Sequence, residues 1–510
     1  MFASGKRMFG VNVLEAAVLV VGASGTAAIV LFSGKALLYI SVAIGAALLL
    51  AYALSAFVSG NSQGLVLIWA LLYPLAYYFL SFPREHSIFT LDRAFVAILA
   101  ALLVVQLVQH PQPLPKGIRY AGLCWAGFIA AALLSLRAVR GHDLLYSLRV
   151  LIEALVMPGI LALYVIRNFD VRRYFPALSV VVCLMSIYLA AIGTAEMVLS
   201  QNLLPLTDDA LDFAGADTTV VRVNGPFVTT STFALVGIIN FFLLCLFRHT
   251  MRHSLPTWQR RLQSIAMLAS AAVSMMTLHR GVVLTWIVIG VIEFWCNRRN
   301  TIWWRRSAWK RLALVVGFSA AVLAIKATAP GIYENRVSDP SNLYSRIAQQ
   351  RQTAAVFLDH LWLGAGFVRF SYVVSDERKY RFFFRGDQSV DYPHNMLGSI
   401  AAETGLIGLV FFVLSQLLLL AASRQLLLTR TSGRLTWEVF IRIFIAYWVV
   451  GMDLTSGYYS ELNMWYMFAI AICFRYAGAE NRTRPALDVV GTKAFRNHQL
   501  QRLSVSRHRT

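Results

Sequence analysis

Charge is what this sequence is short of. Charged residues make up 14% of its 510 residues, where globular domains carry about 25%. The chain is 58% hydrophobic with a mean hydropathy of +0.62, so too little polar surface remains to cover it in water. A water-soluble enzyme, a disordered chain and a fibrous protein are excluded. Acidic residues are scarcest: 25 Asp and Glu stand against 46 Lys and Arg, for a net charge of +21. Such an excess in a soluble protein suggests nucleic acid. In a membrane protein it marks cytoplasmic loops, so the expected partner is the lipid bilayer and no nucleic acid. The five cysteines (Cys124, Cys183, Cys245, Cys296 and Cys473) lie within apolar stretches without metal-ligand spacing, which supports neither a disulfide framework nor a zinc site. No Gly-rich phosphate loop and no internal repeat is present, which argues against an inverted-repeat transporter. Asp208-Asp209 is not the spaced carboxylate pair that holds a metal for nucleotide-sugar chemistry. No cofactor and no metal are expected.

What is abundant is long apolar runs. At about 20 residues per spanning helix, about fourteen spans are expected. The first seven lie near 12–33, 36–58, 64–82, 93–109, 118–136, 149–166 and 176–199. The others lie near 229–247, 263–279, 281–296, 312–328, 395–422, 436–453 and 459–476. The fold class is an all-α polytopic membrane protein. Lys6 and Arg7 precede a retained first span rather than a cleavable signal peptide. Lys and Arg in short loops set the orientation: Arg167, Arg172 and Arg173 share the inner side with Arg248, Arg252, Arg260 and Arg261, and with both termini. Arg137 and Arg140 break the rule by falling outside. Two outside segments stand out, 200–228 with four aspartates and Arg222, and 329–394, the longest hydrophilic stretch. The second is cationic and too aromatic for disorder, so it reads as a folded, partly helical cap. The chain divides into N-terminal spans (1–116), a transmembrane core (117–328), the cap loop (329–394), C-terminal spans (395–476) and a basic cytoplasmic tail (477–510).

The strongest local signal is 391-DYPHNMLGSIAAETGLIGLVFF-412. Pro393 predicts a helix start, with His394 at the outer end of the span. His394, Gly398, Ala401, Gly405 and Gly408 then share one face of a continuous helix, a small-residue face that invites close approach by another helix. From spacing alone, plain helix packing with an interfacial histidine is the better-served reading. Arg280 stands at a span boundary and by itself reads also as a snorkelling anchor. Arg346 lies on an expected amphipathic helix whose Ile347, Ala354, Leu358 and Leu361 form the apolar face; Arg351 projects differently. Glu403 lies off the His394 face. Glu153, Glu196, Glu293, Arg442 and Asp453, within or at the edges of spans, serve function or helix pairing alike. Trp303-Trp304 beside Arg305 and Arg306 reads as an interfacial belt.

These residues resemble the bacterial O-antigen ligase and O-antigen polymerase superfamily. His394-Asn395, then nine intervening residues, then Gly405-Leu-Ile-Gly408 resembles its histidine signature. Arg280-Gly281 resembles its intramembrane arginine motif, and 345-SRIAQQRQTAAVFLDHLWLGAGFVRF-370 its outside element of arginine, helix and glycine pair. The segment 222-RVNGPF-227 resembles the preceding outside loop, although Val-Thr-Thr-Ser follows where Pro-Asn is the pattern. The resemblance spans roughly 120–475. It implies a multi-pass protein of the bacterial inner membrane with its site and cap on the periplasmic face. It implies transfer of a glycan from an undecaprenyl-diphosphate-linked donor to an acceptor hydroxyl, on another glycan for a polymerase or on lipid A core for a ligase, without a metal. Arginine suits the donor, since its guanidinium stays charged and binds phosphate oxygens in pairs. Histidine can take a hydroxyl proton at neutral pH. His394, Arg280 and Arg346 are the expected catalytic residues, with Arg222, Arg351 and Asn395 in substrate binding; displacement would invert the anomeric carbon. A transporter or flippase of the same lipid-linked sugar is the alternative, disfavoured because the charges sit at the outer boundary rather than at the bilayer midplane.

Overall fold

The computed structural model describes residues 63–75, 90–109, 113–139, 142–199, 223–227, 229–251, 255–277, 280–297, 341–389, 393–428, 433–452 and 459–482. The described chain is mostly helical. In chain order come α1 (Gln63–Leu72), α2 (Leu91–Gln109), α3 (Lys116–Ser135), α4 (His142–Leu151) and α5 (Met157–Asn168). There follow α6 (Val171–Leu199), α7 (Thr230–Thr250), α8 (Thr257–Met276) and α9 (Arg280–Asn297). The cap contributes α10 (Ser341–Asp359), α11 (Phe370–Asp376) and a small antiparallel hairpin of β1 (Phe383–Phe384) and β2 (Asp387–Gln388). The last three helices are α12 (Met396–Leu428), α13 (Gly433–Gly451) and α14 (Tyr459–Arg482).

Among the described residues, six helical segments are long and apolar enough to cross a membrane: 92–109, 116–138, 144–168, 173–199, 230–250 and 396–425. The helices at 63–72 and 281–292 are apolar but shorter. The class of fold is as expected; the six are no count of the whole chain and leave the expected fourteen unconfirmed, since the expected spans at 12–33, 36–58 and 312–328 lie outside the described residues, as do Asp453 and Trp303-Trp304.

Neighbouring helices are held by packing and by hydrogen bonds between side chains that would otherwise be stranded in apolar surroundings. Helices α3 and α12 run antiparallel, with Gly117 against Ala422 and Gly127 against Phe411. Helices α5 and α14 run parallel: Asn463 Nδ2 donates to Ala154 O (2.8 Å), and Arg475 to Phe169 O (2.6 Å). Tyr466 OH donates to Gln416 Oε1, Trp465 Nε1 to Asn240 Oδ1 and Gln263 Nε2 to Ser179 Oγ. A π-helical turn, Ile152–Val156, joins α4 to α5. Widening a helix by one residue frees carbonyls; here Ala154 O takes Asn463, and Leu155 O takes Trp125 Nε1 at 2.9 Å. Glu153 in this turn pairs with Arg93 of α2 and Arg149 of α4.

The helix predicted as continuous from His394 through Gly408 is broken. It starts only at Met396, and Gly405 adopts φ 68°, ψ −171°, a region essentially reserved to glycine. The break strands backbone groups on both sides, and the cap turn after α10 takes them up. Ala365 N donates to Ala402 O (2.8 Å) and Gly366 N to Glu403 O (3.2 Å); Leu406 N donates to Leu361 O (2.7 Å) and Ile407 N to Trp362 O (3.4 Å). His394 therefore does not share a helix face with Gly405 and Gly408. The small residues serve a different purpose: a Cβ at Gly405 would collide with the Trp362 backbone, and one at Gly364 (φ 72°) with the Glu403 backbone.

The cap also sits on the end of α3. Phe367 N donates to Ser135 Oγ (3.0 Å), and the Arg369 guanidinium bonds Ala138 O. This contact places the Arg137 loop at the cap end of the bundle, on the side that the charge rule alone did not favour. Within the cap, Asp359 accepts from Lys379 Nζ (2.8 Å) and Tyr380 OH (2.9 Å).

Gly405→Ala is expected to cost at least about 2 kcal/mol, because it adds glycine-only strain to a backbone collision. Thermal unfolding of the full-length protein in detergent, with protease cleavage of the cap as a second readout, checks this; wild-type behaviour would contradict it. Hydrogen bonds from Lys379 and Tyr380 hold the Asp359 carboxyl below its ordinary value of 3.8. The stabilisation is therefore complete above the unfolded value and is lost as pH falls through the lower folded one. Hydrogen exchange across 341–389 should rise with acid in that window, and Asp359→Asn should remove that pH dependence.

Candidate functional site

The site is built from the cap helix α10 and the first half of α12, which run parallel in fixed register. Asn395 Nδ2 donates to Gln350 Oε1 (3.2 Å), and one turn on a Cβ at Gly398 would lie 2.9 Å from Thr353 Cγ2. A further turn on, Val356 and Ala402 share a buried cluster with Ala365, Phe370 and Tyr380. Arg346 is exposed and lies one turn before Gln350 on α10, on the same face. The register thus puts Arg346 at the same end of the pair as His394 and Asn395.

Asn395 is the N-cap of α12. Its Oδ1 accepts from Leu397 N (3.0 Å) and Gly398 N (3.2 Å), satisfying two of the amides that a helix start leaves open. Next to it, buried Pro393 fixes the approach, and half-buried His394 adopts φ 27°. A non-glycine residue at positive φ costs energy that the surrounding structure must over-determine, and such strain collects at functional positions. His394 thus stands just before the start of a helix rather than along its face, next to the Asn395 cap.

Arg280 is the first residue of α9. Its end of the bundle follows from the packing. Gly451, at the end of α13, meets Met396, at the start of α12, so α14 begins at the cap end. Helix α7 runs parallel to α14, because Asn240 meets Trp465 while Phe247 and Tyr476 both pack on Phe175. Phe233 near the start of α7 and Met276 at the end of α8 both lie against Gly193. Arg280, just after Met276, is therefore at the cap end with His394. Arg351 is turned elsewhere: its guanidinium lies 5.6 Å over the Phe384 ring of the hairpin. Arg222 lies outside the described residues, but the turn that follows it is closely built. Residues 223–227 are buried, Gly225 N donates to Glu196 Oε2 (2.9 Å), and Thr230 Oγ1 to Asn224 Oδ1 (2.7 Å). Thr229 caps α7 by accepting from Thr232 N (3.1 Å), so the departing Thr229, Thr230 and Ser231 still start the helix properly.

Two sequence expectations need correction here. The buried face of α10 is Ala348, Gln349, Gln352, Thr353 and Val356, whereas Ala354 and Leu358 are exposed and Ile347 and Leu361 half-buried. A mostly polar strip is buried because α12 presents small residues and a polar N-terminus to it. Glu403 is expected off the histidine face; that face does not exist, and Glu403 stands fully buried on the seam between helix and cap. Gln350, which ties Asn395 to the cap, is not singled out by the sequence, because one of three neighbouring glutamines (349, 350 and 352) carries no distinguishing pattern. Among the described residues, no group of three or more His, Cys, Asp or Glu is arranged to hold a metal ion.

Residues 265–413 match the family model described as O-antigen ligase. The match covers under a third of the chain and includes Arg280, Arg346, the cap, His394 and the broken helix. It supports the O-antigen ligase and polymerase superfamily and membrane glycan transfer of the O-antigen ligase kind. No curated protein matches the chain.

Asn395→Ala should lower stability by about 1 kcal/mol through the lost cap, and Asn395→Asp should retain most of it. Unfolding of the two variants side by side tests the assignment; equal losses would show that the cap is not what the residue provides.

Proposed function

We propose that this protein transfers a glycan from a polyprenyl-diphosphate donor, of the undecaprenyl type, to an acceptor hydroxyl at the cap face of the bacterial inner membrane, the face turned to the periplasm. The observation that carries the reading is the convergence of Arg346, His394 and Asn395 through one helix register, at the end of the bundle where α9 begins with Arg280. A match to O-antigen ligase over the segment holding these residues supports it.

In the proposed reaction the acceptor oxygen attacks the anomeric carbon. Its bond to that carbon forms as the bond from carbon to the phosphate oxygen breaks, and the electron pair leaves with the lipid diphosphate. His394 takes the acceptor proton, or positions the hydroxyl for its loss. Arg280 and Arg346 hold the diphosphate, whose negative charge grows as the bond breaks; fixed cations aimed at that charge favour the transition state over the ground state. Arg222 and Asn395 support substrate binding, and Arg351 adds positive charge from the hairpin side. Direct displacement inverts the anomeric centre, and none of these steps needs a metal. Polymerase and ligase share this chemistry and differ in the acceptor, another glycan or lipid A core.

Surface glycans of a deletion strain, complemented with wild type, His394→Ala or His394→Gly, test the proposal. Both variants should fail to restore transfer. His394→Gly should be at least as stable as wild type, since glycine relieves the positive φ, worth about 1 kcal/mol. Single repeats in place of long chains indicate a polymerase, and long chains still on the lipid carrier indicate a ligase. Normal glycans with either variant would refute the histidine chemistry and favour transport of the lipid-linked sugar.

A further inference from the structure

The exposed side of α10 changes character along its length. Arg351 and Ala354 are followed by Leu358, 68% exposed, and in the turn below by Trp362, 64% exposed. Large apolar side chains exposed together need an apolar partner, and the seam fixes where these two lie. Trp362 O accepts from Ile407 N, so Trp362 is level with the start of the second half of α12. From there downward that half helix exposes Ile407, Val410, Phe411, Leu414 and Leu417.

Three markers give the depth of this level. The Gly408 position lies against Ala131 of α3, so exposed Leu133 and Leu134 flank the same level on the neighbouring helix. Exposed Arg137 lies one turn above them, and exposed Arg119 eighteen residues below Arg137. That separation is about 27 Å of helix, close to the hydrocarbon thickness of about 30 Å. On the cap, Asp359 and Lys379 pair just above Trp362. Charge therefore sits above this level, and exposed aliphatic side chains lie at it and below.

We infer that the lower end of the cap, Leu358 to Trp362, is seated in the bilayer interface on the cap side, with Leu358 and Trp362 against lipid. The cap is then not a lid in water joined by flexible tethers. It is a monotopic element whose turn enters the membrane beside α12. Tryptophan suits that depth, since its ring is amphipathic and its N–H reaches the headgroup layer. The polar backbone of the turn is tolerated there because the seam uses it. This placement holds whether or not the protein transfers glycans, so its test is separate from the histidine variants.

In the full-length protein in nanodiscs of phosphatidylethanolamine and phosphatidylglycerol, p-benzoylphenylalanine replaces Trp362, Leu133 or Phe383, the last being 61% exposed on the hairpin. After irradiation, lipid adducts are expected at 362 and 133 and not at 383. Lipid adducts at 133 with none at 362, or a protein adduct at 362, would overturn the inference. Independently, Trp362→Cys should react with a membrane-impermeant maleimide about tenfold more slowly than Phe383→Cys, because the reactive thiolate is suppressed in a low-polarity setting. Equal rates would overturn it as well.

Discussion

Everything at the cap end depends on one backbone exchange. Breaking α12 at Gly405 leaves carbonyls on one side and amides on the other, beside a bilayer that offers no water to replace the lost bonds. The turn from Leu361 to Gly366 supplies two carbonyls and two amides at matching positions. Neither partner is satisfied alone, so cap and helix form together or not at all. Side chains cannot mediate this contact, because two backbones must come within hydrogen-bonding distance. That requirement puts glycine at 364 and 405.

The exchange also sets the relation between the proposed cation and the proposed base. Once Leu361 to Gly366 is fixed against 402–407, α10 rises parallel to the first half of α12. The pairs Thr353 with Gly398 and Gln350 with Asn395 follow one turn at a time. Arg346 and His394 stand at the top of these two arms, a few helical turns from the seam and joined to it through them. Pre-organisation of this kind matters for group transfer, where charged groups held in place need no reorganisation as the leaving charge develops. Arg280 reaches the same end by an independent route, through the packing of α7, α8 and α9.

Composition was enough to reveal the class of the molecule, because 14% charge cannot clothe 510 residues in water. The ordered motifs around Arg280, Arg346 and His394 were legible too, since each carries unusual residues at a fixed spacing. What misled was the assumption of local regularity. The spacing from His394 to Gly408 fits a continuous helix, and only a partner segment well before it in the chain, Leu361 to Gly366, makes the break favourable. In the same way, Ile347, Ala354, Leu358 and Leu361 look like the buried side of α10, but burial is decided by the polar N-terminus and small residues of α12. Glu196 looked ambiguous within its span and holds the Gly225 turn, a long-range contact that no spacing encodes.

The positive charge of the cap posed a question for the sequence, because a cationic outside loop runs against the bias of membrane topology. Part of the answer is internal. Arg385 lies 5.0 Å over the Tyr344 ring and bonds its hydroxyl, Arg351 lies over Phe384, and Lys379 lies over Tyr380 while bridging Asp359 and Glu377. A small unit with a two-stranded hairpin has little apolar core, so cations stacked on rings help to hold it together. These charges are structural first. Arg346 differs because of where its helix carries it: on the Gln350 face, toward Asn395 and His394, with the hairpin on another side. The arginines of one helix thus divide by face: Arg351 lies over a ring of the hairpin, while Arg346 stands on the Gln350 face, the one to which the proposal assigns the diphosphate.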